Sequence, residues 1–124
     1  MNQQQIVIGN IKSLFSAMIV LTSRTLQLDS KVFTLEVEVD GDKTTFVPDA
    51  CFVPSLQKTV NKRVNRLNKV LSKQGSPKIS KARLKAYPDT LNMDFNLTFE
   101  GEPSEELDRI INSAFESLGD VERL

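Results

Sequence analysis

The cations between residues 55 and 73 have the spacing that a phosphate-binding surface needs. On a helix of about 3.6 residues per turn, five of them fall on one stripe. These five are Lys58, Lys62, Arg66, Lys69 and Lys73. Such side chains hold backbone phosphates, while neighbouring amides such as Asn61 and Asn65 can bond to bases or sugars. The pattern therefore predicts a polyanion-binding helix.

The same stripe is also compatible with two arrangements that involve no polyanion. A solvated helix ordinarily mixes acidic with basic residues, because like charges four residues apart destabilise it. Here Lys58/Lys62 and Lys62/Arg66 are both like-charged pairs. The stripe could nevertheless be solvated, or it could pair with acidic residues of the last helix, within the chain or between subunits. Those acidic residues are Glu105, Asp108 and Glu116.

The cationic stripe lies inside a longer basic block, although the whole chain is neutral. The chain has 124 residues, with 16 basic and 16 acidic side chains. Residues 50–88 contain no acidic side chain, and residues 89–124 are strongly acidic. Regional separation of charge indicates a charged partner. Further members of the block could support the binding surface, namely Lys78, Lys81, Arg83 and Lys85.

Enzymatic chemistry has little support in the sequence. There is no His, and the single Cys51 rules out a disulfide framework or a cysteine cluster for a metal. Alternating carboxylates at Glu36 and Glu38, followed by Asp40 and Asp42, could hold Mg²⁺. A solvated hairpin explains them better. We therefore expect a non-enzymatic protein without a metal or another cofactor.

The first half of the chain predicts a helix and a hairpin. An apolar pattern predicts a helix near 11–25, with Asn10 as its N-cap. Strict alternation predicts strands at 31–39 and 43–47, with Glu38 opposite Lys43 and Leu35 opposite Phe46. A short third strand within 50–53 is an open alternative.

The second half repeats this order. The periodic stripe predicts a helix over 55–73, ended by Gly75. Strands 79–86 and 91–99 form a second hairpin, with Ala86 opposite Leu91. The last helix begins near Ser104 and ends at Gly119. The expected fold is a single α+β domain over residues 1–124. It is a two-layer sandwich in the order α-ββ-α-ββ-α, with an antiparallel sheet of four to five strands and a polar open face.

The first helix has a wide apolar arc, which suggests contact with a second subunit as well as with the core. Burial by the chain's own sheet would produce the same arc. Its apolar run from Leu14 to Leu21 is too short to span a membrane. Together with the single cysteine, this predicts a cytoplasmic protein without a membrane partner.

The order of elements resembles two known groups of proteins. LAGLIDADG homing endonucleases share it, but they carry an acidic motif at the end of the first helix. Here that stretch, residues 20–28, reads VLTSRTLQL and contains no carboxylate, which excludes catalysis by that route. The small export chaperones of type III secretion have a similar order and form dimers. An order of elements alone does not give a function.

Two functional hypotheses follow. The first is a small protein that binds DNA or RNA by backbone contacts, and that forms a homo-oligomer. Stacking on single strands is disfavoured because the sheet aromatics, Phe33, Phe46, Phe95 and Phe99, are all predicted on the core side. The second is a protein-interaction module, such as a chaperone, an inhibitor or a self-assembling virion subunit, that uses the apolar face of the first helix.

Overall fold

Three helices and a four-stranded antiparallel sheet form an α+β fold in the predicted order α-ββ-α-ββ-α. The computed structural model describes residues 3–26, 33–40, 43–47, 54–87 and 92–122. The elements are α1 (Gln3–Leu26), β1 (Phe33–Asp40), β2 (Lys43–Val47), α2 (Pro54–Lys73), β3 (Ile79–Tyr87), β4 (Asn92–Phe99) and α3 (Glu105–Glu122). The suggested strand within 50–53 and the side chain of Phe33 lie outside the described residues.

The strand order is β2-β1-β3-β4, so the two hairpins meet through β1 and β3. One face of the sheet is apolar and buried, with Leu35 and Val37 on β1 and Leu84 on β3. Phe46, Phe95 and Phe99 pack against the same core, as the alternation predicts. The opposite face carries the polar residues of each strand. All three helices therefore lie on one side of the sheet, and the other side is open.

Both predicted hairpin registers are wrong by two residues. Val37 pairs with Phe46 and Asp40 with Lys43, so the connection consists of residues 41 and 42. In the second hairpin, Ala86 pairs with Met93 instead of Leu91. A shift of two residues keeps every side chain on its own face, so the polarity pattern cannot detect it.

Helix α1 begins at Gln3, well before the predicted start. Asn10 is not an N-cap: its Nδ2 donates a hydrogen bond to the carbonyl oxygen of Ile6 inside the helix, at 2.7 Å. Val7 is completely buried and continues the apolar stripe by one turn. Burial of this extra turn outweighs the weak helix propensity of the β-branched residues and the glycine there.

The wide apolar arc of α1 is accounted for inside the chain. α1 lies in the middle of the helical layer and contacts α2, α3, β1 and β3. Leu14, Met18 and Leu21 are completely buried, and Ala17 and Ile19 pack against the same core. Val20, which the sequence already placed off the arc, is 46% exposed. The breadth of the arc therefore needs no second subunit.

One helix among the described residues, α1, is long and apolar enough to cross a membrane by length and composition. The qualifying window is Gln5–Thr22, and 39% of it is buried inside the protein. Core helices and signal sequences meet the same criterion. The cytoplasmic location therefore remains a prediction.

Candidate nucleic-acid interface

Helix α2 is built and ended as its sequence predicts. Pro54 opens it, where a missing backbone N–H is harmless. Gly75 follows it with φ of +71°, and Ser76 N donates to Leu71 O at 2.9 Å, a Schellman ending. The buried stripe consists of Val60, Val64, Leu67 and Leu71. These ends and this stripe determine which face of α2 points to solvent.

The five predicted stripe cations lie together on that solvent face. Lys58, Lys62, Arg66, Lys69 and Lys73 are all exposed. At a rise of 1.5 Å per residue, the row from Lys58 to Lys73 extends over about 22 Å. Arg63, which the helical wheel puts at the edge of the core, is half-buried. The five cations thus form one continuous cationic band along the solvent face of α2.

No ion pair of these five cations is found within the part of the chain that the structure describes. α2 packs mainly on α1, and α1 separates it from the acidic helix α3. Glu105 and Asp108 are exposed on α3, while the side chain of Glu116 lies outside the described residues. Among described residues, the acidic helix therefore does not neutralise the stripe of its own chain.

The amides beside the stripe connect α2 to the sheet. Asn61 Oδ1 accepts a hydrogen bond from Thr44 Oγ1 of β2 at 2.5 Å. Asn68 Oδ1 accepts from Ile79 N at 2.8 Å, and Asn68 Nδ2 donates to Ile79 O at 3.4 Å. Asn61 and Asn68 thus hold the helix in place. Asn65 is exposed, and its contact with Asn61 is long, at 3.5 Å.

A polar groove of about 660 Å³ borders the C-terminal half of the stripe. It lies between α2 and the end of the sheet where β3 begins. Its lining includes Asn65, Lys69 and Ser72 from α2, together with Lys78 and Glu100. Lys78 is exposed, so it extends the cationic surface from α2 towards the sheet.

The cations of β3 lie on the opposite side of the molecule. Arg83 Nη2 is 2.6 Å from Glu36 Oε1, and Lys81 Nζ is 3.2 Å from Glu38 Oε1. Lys85 Nζ lies 5.3 Å from the ring centroid of Tyr87. The sequence predicts these residues in support of the stripe. The fold separates them from it, because they occupy the open sheet face and the stripe occupies the helical layer.

The same ion pairs account for two of the acidic candidates of β1, Glu36 and Glu38. Glu36 contacts both Arg83 and Lys81, at 2.6 and 3.8 Å, and Glu38 contacts Lys81. Among the described residues there is no group of His, Cys, Asp and Glu that could hold a metal ion. Asp42 and Cys51 lie outside those residues.

No protein-family model, no curated protein and no solved structure matches this chain. The function is therefore inferred from the geometry and charge of the site alone.

Proposed function

We propose that the protein binds nucleic acid non-enzymatically, through contacts between the α2 stripe and backbone phosphates. The observation that carries the proposal is the row of five exposed cations without an ion pair among the described residues. Elsewhere in the same molecule, Arg83 and Lys81 are paired with carboxylates. A row of unpaired cations is the arrangement that releases counterions when phosphates bind.

The proposed surface is narrower than the sequence suggests. It consists of the α2 stripe, with Lys78 and Asn65 beside it. Asn61 belongs to the contact with β2, and Lys81, Arg83 and Lys85 belong to the open sheet face. The described residues of this surface do not form a group of side chains that would recognise base edges. We therefore expect the binding affinity to depend only weakly on base sequence.

Matched triple variants test this proposal. The stripe variant, K62Q/R66Q/K69Q, neutralises three of the five stripe cations. The sheet variant, K81Q/R83Q/K85Q, neutralises three cations of the open sheet face. Both variants change the net charge by the same amount. Binding of a labelled duplex is measured by fluorescence anisotropy at ~50 mM salt, for DNA and for RNA.

The stripe variant should bind at least about tenfold more weakly, with the slope of log K against log salt reduced from about −4.5 to about −1.8. The sheet variant should keep the wild-type slope. Equal losses in the two variants would mean that only overall charge matters. If the wild-type protein bound neither the DNA duplex nor the RNA duplex, the proposal would be refuted.

The alternative function, a protein-interaction module on the apolar face of α1, has lost its main support. That face contacts α2, α3 and the sheet of its own chain. An acidic protein partner on the α2 stripe would be the remaining alternative if the wild-type protein bound neither duplex.

A further inference from the structure

The two edges of the sheet differ in how they are protected against pairing with another strand. β2 has five residues, begins with the exposed Lys43 and is followed in sequence by Pro48. Short length, lysine and proline are the usual protections of an edge. Thr44 of β2 is also bonded to Asn61 of α2. This edge is therefore poorly suited to accept another strand.

β4, at the other edge, has none of these protections. It has eight residues, NMDFNLTF, without Lys, Arg or Pro. Within the described part of the chain, β4 is paired only with β3. Asp94 is its single charge, and Asp94, Asn96 and Thr98 are all exposed on the open sheet face. An unprotected edge of this length is a template for another strand.

The core face of β4 is also incompletely covered. Its apolar row packs against the core, but each member is only partly buried. The row consists of Met93, Phe95, Leu97 and Phe99. α3 touches β4 at few points and packs mainly on α1. A strand added beside β4 would cover this row as well as the backbone edge.

We infer that the occupant of this edge is β4 of a second copy of the chain, paired antiparallel about a two-fold axis at Asn96. This register puts Asp94 opposite Thr98 of the other copy, so the one charge meets a hydroxyl. On the core face it puts Phe95 opposite Leu97 and Met93 opposite Phe99. A two-fold axis at Asp94 would instead oppose two carboxylates, which is destabilising.

The edge is thus complementary to itself in both charge and side-chain face. Pairing joins two four-stranded sheets into one sheet of eight strands, with all helices on the same side. The α2 stripes take no part in the pairing of the two β4 strands and stay exposed. The inference is independent of the proposed nucleic-acid binding, although a dimer would present two stripes to one long duplex.

The test uses charge at the two-fold axis. In N96K, two lysines face each other across the axis, while in the monomer the side chain remains exposed. In N96D, two carboxylates face each other across the axis. Light scattering at micromolar concentrations should give the dimer mass for wild type and half that mass for each variant. An equimolar mixture of N96K and N96D should recover the dimer mass, because Lys then faces Asp.

Thr45→Lys is the matched control, since Thr45 also lies on the open face but belongs to the edge strand β2. It should leave the dimer mass unchanged. A monomeric wild type would overturn the inference, and so would a dimer that both N96K and N96D leave intact. A mixture that stays monomeric while both variants retain wild-type circular dichroism would also contradict it.

Discussion

Two asparagines one turn apart on α2 have different roles. Asn68 bonds with both its amide atoms to the backbone of Ile79, in the way a neighbouring strand would. These bonds give the backbone N–H and C=O groups of Ile79, at the start of β3, their hydrogen-bond partners. β1 does not pair with Ile79, because the pairing of β1 with β3 ends at Lys81. Asn65 is exposed and lines the groove beside the stripe. The helical wheel could not distinguish the roles of these two asparagines, because both lie on one polar stripe. Which of them contacts the sheet depends on where the sheet packs against α2.

Asn68→Ala should lower the free energy of unfolding by about 1–3 kcal/mol, because it leaves the N–H and C=O groups of Ile79 without their partners. Asn65→Ala should change it by less than about 0.5 kcal/mol, as exposed substitutions do. Urea denaturation of the two variants measures both effects. Equal stabilities of the two variants would contradict the docking role of Asn68.

At the level of elements, strict periodicity predicted most of the fold. Helix α2 agrees with its predicted bounds to within one residue, and β2 agrees fully. α3 begins at Glu105, next to the predicted start, and Ser104 caps it: Leu107 N donates a hydrogen bond to Ser104 Oγ at 3.1 Å. The predicted end at Gly119 is wrong, because α3 continues to Glu122. Ends and registers depend on tertiary contacts and turns, which a period of two or 3.6 does not encode.

The α2 stripe should weaken the helix that carries it. Lys62 has like-charged neighbours four residues away on both sides, Lys58 and Arg66. Lys62→Glu converts both repulsive pairs into attractive ones and should stabilise the protein by about 0.5–1 kcal/mol. Thermal and urea unfolding measure this gain, with Lys62→Gln as the control that removes the repulsion without adding an attraction. A loss of stability in Lys62→Glu would show that the stripe makes stabilising contacts within the protein.

Over the whole molecule, a net charge of zero conceals a spatial separation. The sequence predicted the separation along the chain, but not where the acidic segment lies. The fold places α1, which has no acidic residue, between the basic helix α2 and the acidic helix α3. The sheet cations meet Glu36 and Glu38 on the other side of the sheet. Among described residues, positive charge without a counter-ion is thus concentrated on α2 and its border with the groove.

The most direct test of the proposed binding is the salt dependence of duplex binding by the unaltered protein. With five stripe cations on phosphates, log K should fall linearly with log salt at a slope of about −4.5 per bound chain. Random-sequence duplexes should give the same slope, since phosphates carry no base information. A slope near zero, or no binding at ~50 mM salt, would contradict the assignment of the α2 stripe to nucleic acid.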